Sequence, residues 1–243
     1  MQLLSPILGK KKCQVIFEQL HQISLKGMNI GGSDNPRNSG EVSVMKYIKN
    51  KLYAETKIII FDVGANVGRY SLLLQDVFQG NCSIHAFEPS KSTFQKLLLN
   101  IKNKENINLN NFGFGDENKK MMLYYDFPGS GLASVYERRL EKHDLNKNEE
   151  IEIKTIDSYC NDNNIKHIHF CKLDVEGHES EAIKEINFST VNIESMLVEV
   201  YTKELDLIFS LLSPHFNNSK NVTNYNQVDN PYWDGTHNDY FFW

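Results

Sequence analysis

The stretch IIIFDVGANVGRYSLLL, from Ile58 to Leu74, decides the fold of this chain. It opens with an uninterrupted apolar run, Ile58 to Phe61, which is typical of a central strand in a parallel sheet because such a strand is buried on both faces. A glycine turn, Asp62 to Gly68, and then a helical pattern follow it. In open α/β sheets, ligands bind at such turns, against backbone N–H groups at the start of the helix. The stretch therefore predicts a small-molecule pocket.

The spacing of the turn distinguishes between two kinds of ligand. A dinucleotide-binding turn has the pattern G-x-G-x-x-G, whereas this turn has G-x-x-x-G, formed by Gly64 and Gly68, with the acidic Asp62 before it. A carboxylate at this point would repel a phosphate. It suits a donor with cationic groups and no phosphate, such as S-adenosylmethionine, whose amino group and sulfonium are positive. A nicotinamide oxidoreductase, the competing enzyme class on a similar sheet, is therefore disfavoured.

A second acidic residue supports this interpretation. Asn81 to Phe87 has the pattern of the next strand, and Glu88 follows it, 20 residues beyond Gly68. An acidic side chain at the tip of this strand accepts hydrogen bonds from ribose hydroxyls. Taken singly, Asp62 is explained as a helix cap and Glu88 as an ordinary loop residue. Together they predict a cofactor site.

The composition excludes several classes of function. The chain has 243 residues and a net charge of −5, which disfavours nucleic acid, since phosphates bind clusters of Lys and Arg. Its four cysteines form no C-x-x-C pair, so the sequence predicts neither a zinc site nor a disulfide framework, and it indicates a reducing compartment. No apolar stretch is long enough to span a membrane, and the first residues lack the pattern of a signal peptide. We therefore expect a cytoplasmic protein.

The remaining patterns predict one α/β domain with an N-terminal extension. Residues 1–53 carry two amphipathic helical segments and are predicted to form a lid, a substrate contact or a dimer contact. Residues 54–243 alternate strands and helices, as a doubly wound parallel sheet requires. Within them, residues 119–155 form an insertion of two strands around a Gly-, Ser- and charge-rich segment, a composition common in substrate-binding loops.

Several ordered motifs resemble the FkbM family of S-adenosylmethionine-dependent methyltransferases. They are FDVGANVGRYS from Phe61, AFEPS from Ala86, GFGDE from Gly113, KTIDSYC from Lys154, KLDVEGHESEAI from Lys172 and MLVEVY from Met196. The resemblance covers about Ile58 to Glu199. It implies the class I (Rossmann-like) methyltransferase sheet, doubly wound and mostly parallel, with seven strands of which the last is antiparallel. It also implies mainly O-methylation of hydroxyl groups on sugars or other natural products.

The resemblance further implies which residues would bind the donor. The methionine end would be held by Asp62, Gly64, Asn66 and Gly68. Glu88 would bind the ribose, and Asp116 would lie near the adenine ring. Asp174 would lie close to the transferable methyl group. The product would be S-adenosyl-L-homocysteine.

Methyl transfer to a hydroxyl group needs a means of activating the acceptor, and a positioned general base typically contributes about 10²–10⁴-fold. His178 is our first choice, because it follows a strand tip and imidazole accepts a proton near pH 7. Asp174 and Glu176 are its rivals. The simpler alternative is that Glu176 and His178 are polar loop residues that cap the next helix.

Two further residues are predicted to contact the acceptor, Glu199 through substrate hydroxyls and Tyr136 by stacking on a sugar face. Asp174, Glu176 and Glu199 form an alternative Mg²⁺ site, since carboxylates at adjacent strand tips suit this ion; we do not favour a metal. The leading hypothesis is an O-methyltransferase acting on a saccharide, glycan or related natural product. The second is a catalytically silent cofactor-binding module. The sequence leaves the identity of the small-molecule or glycan acceptor and the oligomeric state open.

Overall fold

The computed structural model describes residues 10, 13, 14, 16, 17, 19, 20, 41–55, 57–127, 133–136, 139, 140, 143, 144, 147–222 and 237–243. The positions described between 14 and 20 are helical, within the first predicted helical segment. Most of the predicted N-terminal extension lies outside the described residues.

After residue 40, the α-helices of the described residues are α1 (Glu41–Lys51), α2 (Arg69–Phe78), α3 (Lys91–Asn100), α4 (Ile156–Asp162), α5 (Glu179–Lys184) and α6 (Leu205–Leu212). The strands are β1 (Ile58–Val63), β2 (Cys82–Phe87), β3 (Ile107–Asn110), β4 (Gly113–Phe114), β5 (Lys119–Tyr125), β6 (Arg139–Leu140), β7 (His143–Asp144), β8 (Lys147–Lys154), β9 (His167–Ile168), β10 (Phe170–Leu173), β11 (Asn192–Ile193), β12 (Met196–Tyr201), β13 (Ser219–Asn221) and β14 (His237–Phe242).

The main sheet has seven strands in the order β3, β2, β1, β10, β12, β14, β13. The first five run parallel, whereas β14 is antiparallel to both of its neighbours. The order reverses between β1 and β10, which is the point where open α/β sheets bind ligands. The predicted class I methyltransferase sheet, with its antiparallel last strand, is confirmed.

Helices cover both faces of the main sheet. On one face, α1, α2 and α3 bury a core that includes Ile48, Leu74 and Leu97. On the other face, α4, α5 and α6 bury a second core that includes Ile183 and Ile208. This double cover explains why the central strands are apolar without alternation. Part of the predicted extension, α1, therefore contributes to the core, and its role as a lid, substrate contact or dimer contact stays a prediction.

The two strands of the insertion, β5 and β8, form a small second sheet with β4, which precedes the insertion. β5 and β8 pair antiparallel, with Lys119 opposite Ile153, so the two predicted strands are present. β8 begins at Lys147, where its first residues pair with the end of β5. The sheet buries a small core of Leu123, Ile151 and Ile153. Among the described residues, no helix is both long enough and apolar enough to cross a membrane.

Candidate active site

The glycine turn after β1 lies against the loop after β10. Gly64 has φ +82°, and a Cβ atom at this position would lie 1.7 Å from the carbonyl oxygen of Asp174. Only glycine allows both the left-handed backbone and this close approach. Gly68 has φ +86°, and its Cβ would lie 2.6 Å from the Leu97 side chain in α3. The two glycines therefore fix the turn against two different neighbours.

The backbone N–H groups of this turn are already used. Gly64 and Ala65 donate to the Phe87 carbonyl at 3.0 and 2.9 Å, and Gly68 donates to the Ala65 carbonyl at 2.8 Å. Asn66 donates its N–H to Oε2 of Glu88 at 3.0 Å. These four N–H groups are satisfied within the protein, by Phe87 at the end of β2, by Glu88 and by Ala65, so the expectation that a ligand binds against the N–H groups of this turn stays a prediction. A phosphate would find these donors occupied.

Asp62 is fully buried at the end of β1. Its Oδ2 accepts a hydrogen bond from the Ser71 hydroxyl in the first turn of α2. Its Oδ1 has no hydrogen-bond partner among the described residues. Burial raises the pKa of Asp62, and the nearby Lys172 ammonium partly offsets this rise. A buried acceptor without a donor is costly, and an N–H group of a cationic ligand would satisfy it.

Lys172 is a residue of this site to which the sequence analysis gave no role. It lies on β10 directly beside Asp62 on β1, and its Nζ is 2.7 Å from Oδ2 of Asp174. The ammonium also lies 5.0 Å from the centre of the Tyr70 ring. Burial alone would lower the pKa of Lys172, but the carboxylates of Asp174 and Asp62 outweigh it and raise the pKa. The signal in the sequence was a lysine within an otherwise apolar parallel strand, because a buried charge requires a partner of opposite charge.

Glu88 joins the end of β2 to the glycine turn. Its Oε1 accepts the Ser90 N–H at 2.9 Å, and its Oε2 accepts the Asn66 N–H at 3.0 Å. Burial raises the pKa of Glu88 to about 7, against the effect of these two hydrogen bonds, and the nearby carboxylates of Glu149 and Asp62 contribute to the rise. Each oxygen of a carboxylate has a second lone pair, so Glu88 can still accept a bond from a ligand hydroxyl.

Three predicted site residues come together beside the contact between Gly64 and Asp174. One carboxylate oxygen from each of Asp174, Glu176 and Glu199 lies within 4.8 Å of the other two. Oε2 of Glu176 accepts a hydrogen bond from the Tyr201 hydroxyl at 2.7 Å, and Glu176 has φ +56°. Burial, followed by the charges of Asp174 and Glu176, raises the pKa of Glu199 well above its usual value. This group, the acidic triad, offers oxygen ligands to a cation or acceptors to hydroxyl groups.

His178 and Tyr136 contact each other. His178 is buried, with Nδ1 3.2 Å from the Tyr136 hydroxyl, and its Nε2 has no hydrogen-bond partner among the described residues. Burial lowers the pKa of His178, which keeps its imidazole neutral at neutral pH. The His178 side chain makes no capping bond to α5. Glu179 instead accepts the N–H groups of Val175 and Gly177 through Oε1.

A hydrogen bond joins the insertion to the loop after β10, and an ion pair forms within the turn between β4 and β5. The buried Ser134 donates its hydroxyl to the Glu176 carbonyl oxygen at 2.9 Å. Asp116, predicted to lie near the adenine, follows β4 and forms a 2.8 Å ion pair with Lys119 that lowers its pKa. Asp116 also acts electrostatically on His178. The predicted residues thus form two groups that meet at Gly64 and Asp174: Asp62 with Glu88, predicted to bind the donor and termed the donor side, and the acidic triad, predicted to lie near the acceptor. His178 lies against the turn of Asp116, since a Cβ atom at Gly115 would be 3.0 Å from its Nε2.

The sheet order, with the glycine turn and acidic strand tips at its switch point, defines a class I methyltransferase fold. The chain belongs to the FkbM methyltransferase family, since the model of the methyltransferase FkbM domain matches residues 62–219. That range includes the glycine turn, the acidic triad and His178.

Similar proteins share low identity with this chain. Methyltransferase 1 of Beauveria bassiana (strain ARSEF 2860) is 22% identical over 145 residues, which are 53% of this chain and 58% of that protein. An O-methyltransferase from Bacillus cereus in complex with SAH has a TM-score of 0.48 and 10% identity, over 99% of this chain and 94% of that chain. Precorrin-6y C5,15-methyltransferase from Geobacter metallireducens GS-15 has a TM-score of 0.44 and 12% identity, over 83% and 87%. TM-scores below one half say nothing about the acceptor or the catalytic residues.

The contact of Gly64 with Asp174 can be tested by comparing two glycines of similar backbone conformation. Gly80 has φ +78°, but a Cβ there would meet only the Gln75 side chain, at 3.6 Å. We expect Gly80→Ala to lower the free energy of unfolding by about 1 kcal/mol, the cost of a left-handed backbone. Gly64→Ala should cost more than about 3 kcal/mol, since it also forces the Asp174 loop to move. Urea unfolding measures both, and equal losses would contradict the contact.

The raised pKa of Glu88 predicts a pH dependence of stability. Its pKa is about 7 in the folded protein against an ordinary value of 4.5. Because the folded value is higher, its contribution to stability is fully present below about pH 4.5 and is lost as the pH rises through about 7. Glu88→Gln should therefore remove a decline in unfolding free energy on the order of 3 kcal/mol across this range. Urea unfolding at several pH values gives the slope of the unfolding free energy against pH. Glu152→Gln, at an exposed position, is the control. An unchanged slope in Glu88→Gln would contradict the raised pKa of Glu88.

Proposed function

We propose that this protein is an S-adenosylmethionine-dependent O-methyltransferase whose acceptor is a hydroxyl group of a saccharide, a glycan or a related natural product. The observation that carries the donor assignment is Oδ1 of Asp62, a fully buried acceptor without a partner among the described residues. It lies beside a turn whose N–H groups at 64–66 are occupied. Such a site favours a ligand with cationic N–H donors over a phosphate. Membership of the FkbM family supports the same donor.

The donor's parts correspond to the groups of the site. The amino group of the methionine end would meet Asp62, and the ribose hydroxyls would meet the free lone pairs of Glu88. The sulfonium, a fixed positive charge, would be stabilised by the carboxylates near Asp174. Asp116, in its ion pair with Lys119, would border the adenine. When bound, the donor supplies an electrophilic methyl group.

The acidic triad and the ring of Tyr136 support the acceptor assignment. The acidic triad provides carboxylate oxygens that accept hydrogen bonds from several hydroxyl groups at once. Tyr136 is 40% exposed, which leaves part of its ring available to a sugar face. A polyol would match this combination better than an apolar acceptor would.

His178 is the proposed general base. If Nδ1 carries the proton and donates it to the Tyr136 oxygen, Nε2 is left with a lone pair that can accept the hydroxyl proton. Burial lowers the pKa of His178, so the imidazole is not already protonated at neutral pH. The main contribution of the protein to an in-line displacement is then to hold the acceptor oxygen, the methyl carbon and the sulfur collinear. Asp174 and Glu176 are the alternative bases.

A second candidate arrangement places a divalent cation on the acidic triad. The spacing of its three oxygens favours it, because hard cations such as Mg²⁺ take carboxylate ligands. The ion would orient the acceptor and lower the pKa of its hydroxyl group. A catalytically silent module that binds the donor without transfer is the remaining alternative.

Mass spectrometry of candidate glycans, incubated with S-adenosylmethionine and this protein, tests the proposal. We expect a gain of one methyl group per acceptor. His178→Gln should lower kcat by about 10²–10⁴-fold while leaving the affinity for S-adenosylhomocysteine within about twofold, as expected for a base. His167→Gln is the matched control, because His167 lies in β9 before the start of β10, whereas His178 follows the end of β10.

Each other outcome points to a specific alternative. Binding of S-adenosylhomocysteine without transfer to any acceptor would favour the silent module. Loss of transfer with EDTA, restored by Mg²⁺, would favour the cation on the acidic triad. Unchanged kcat in His178→Gln would exclude His178 as the base. Calorimetric titration showing no binding of either adenosyl compound would contradict the proposal as a whole.

A further inference from the structure

Glu149 connects the insertion to the start of α3. It lies on β8, and its Oε1 accepts a hydrogen bond from the Ser90 hydroxyl at 2.6 Å. Its Oε2 accepts the backbone N–H of Lys91 at 3.2 Å. Charged acceptors make the stronger class of hydrogen bond, and a carboxylate at the start of a helix also interacts favourably with the helix dipole. One side chain of the insertion thus holds the first residues of α3.

Ser90 carries this contact to Glu88. Its backbone N–H donates to Oε1 of Glu88 at 2.9 Å, while its hydroxyl donates to Glu149. The same hydroxyl oxygen accepts the Thr93 N–H at 3.3 Å and so caps α3. Ser90 is buried. It therefore lies between two carboxylates, one at the donor side of the site and one in the insertion, and its position depends on both.

The carboxylates of Glu88 and Glu149 also interact through their charges. Burial is the largest cause that raises the pKa of Glu88, and the carboxylates of Glu149 on β8 and Asp62 on β1 add to the rise. The Ser90 and Asn66 N–H groups act in the opposite direction. Because like charges disfavour ionisation of one another, removing the charge of Glu149 makes Glu88 easier to ionise.

We propose that Glu149 is a positioning residue of the donor site: by fixing Ser90 from the insertion, it holds the loop that carries Glu88 in the geometry that receives the donor. This inference rests on the proposed role of Glu88 in binding S-adenosylmethionine. It makes the affinity for the donor dependent on a strand of the insertion, the part of the chain whose composition predicts acceptor binding. The placement of β8 and the binding of the donor are thereby linked.

Glu149→Gln tests the inference in the full-length protein, with Glu150→Gln as the matched control. Glu150 is the next residue of β8, is exposed, and pairs with Lys120 at 2.7 Å. Calorimetric titration with S-adenosylhomocysteine, from about pH 6 to about pH 8.5, gives the affinity and the midpoint of its pH profile. We expect Glu149→Gln to weaken binding about fivefold at the highest pH, because a neutral amide oxygen accepts the Ser90 hydroxyl more weakly than a carboxylate does. We also expect the midpoint to move to lower pH, and Glu150→Gln to change neither quantity.

A second measurement does not need a ligand. The carboxyl-carbon chemical shift of Glu88, assigned by its loss in Glu88→Gln, reports the titration of this group by NMR. Its midpoint should be lower in Glu149→Gln than in the wild type, and unchanged in Glu150→Gln. A moved midpoint shows that the charge of Glu149 acts on Glu88, and the affinity for S-adenosylhomocysteine shows whether Glu149 also positions the donor site.

The outcomes separate the inference from the proposed function. Wild-type affinity in Glu149→Gln would overturn the inference, wherever the Glu88 midpoint lies, as would an equal loss of affinity in Glu150→Gln. A wild-type protein that binds no S-adenosylhomocysteine would overturn the proposed function and the donor-site role of Glu149 with it. In that case the NMR titration would still decide whether Glu149 acts on Glu88.

Discussion

The rest of the site depends on the contact between Gly64 and the Asp174 carbonyl group. It lies at the switch point of the sheet, where β1 and β10 are neighbours and their chains turn away to opposite faces. Because Gly64 has no side chain, the two backbones can meet there. Gly64 also donates to the Phe87 carbonyl group, which attaches the end of β2 to the same turn. Three strand tips converge on one residue, and with them the carboxylates of Asp62, Glu88 and Asp174.

This convergence concentrates negative charge in a buried place. Asp62, Glu88 and Glu199 all have raised pKa values, with burial as the largest cause in each case. Lys172 offsets part of the cost through its ion pair with Asp174. Residues with strongly shifted pKa values are concentrated at functional sites. A cationic ligand would relieve this cost, whereas a phosphate would add to it, so the electrostatics of these carboxylates would favour a cationic ligand.

Much of the fold could be predicted from the sequence, as could the positions of Asp62 and Glu88 at neighbouring strand tips, because their signals are local. The apolar run from Ile58, the glycine spacing and the acidic residue after the next strand are each contained within a few residues. The contacts of Lys172 and of Ser134 could not be predicted, since Asp62 and Glu176 are distant in sequence and meet them only after the sheet has formed. The bonds that occupy the N–H groups of the turn were missed for the same reason. They depend on how strand β2 ends beside the turn, which no pattern within the turn itself encodes.

The most direct test of this account is a crystal structure of the protein with S-adenosylhomocysteine. The account predicts that the amino group of the ligand lies within hydrogen-bond distance of Oδ1 of Asp62, that the ribose hydroxyls reach Glu88, and that the sulfur faces the acidic triad. A ligand that lies at another edge of the sheet, or that turns its ribose away from Glu88 and its amino group away from Asp62, would contradict it.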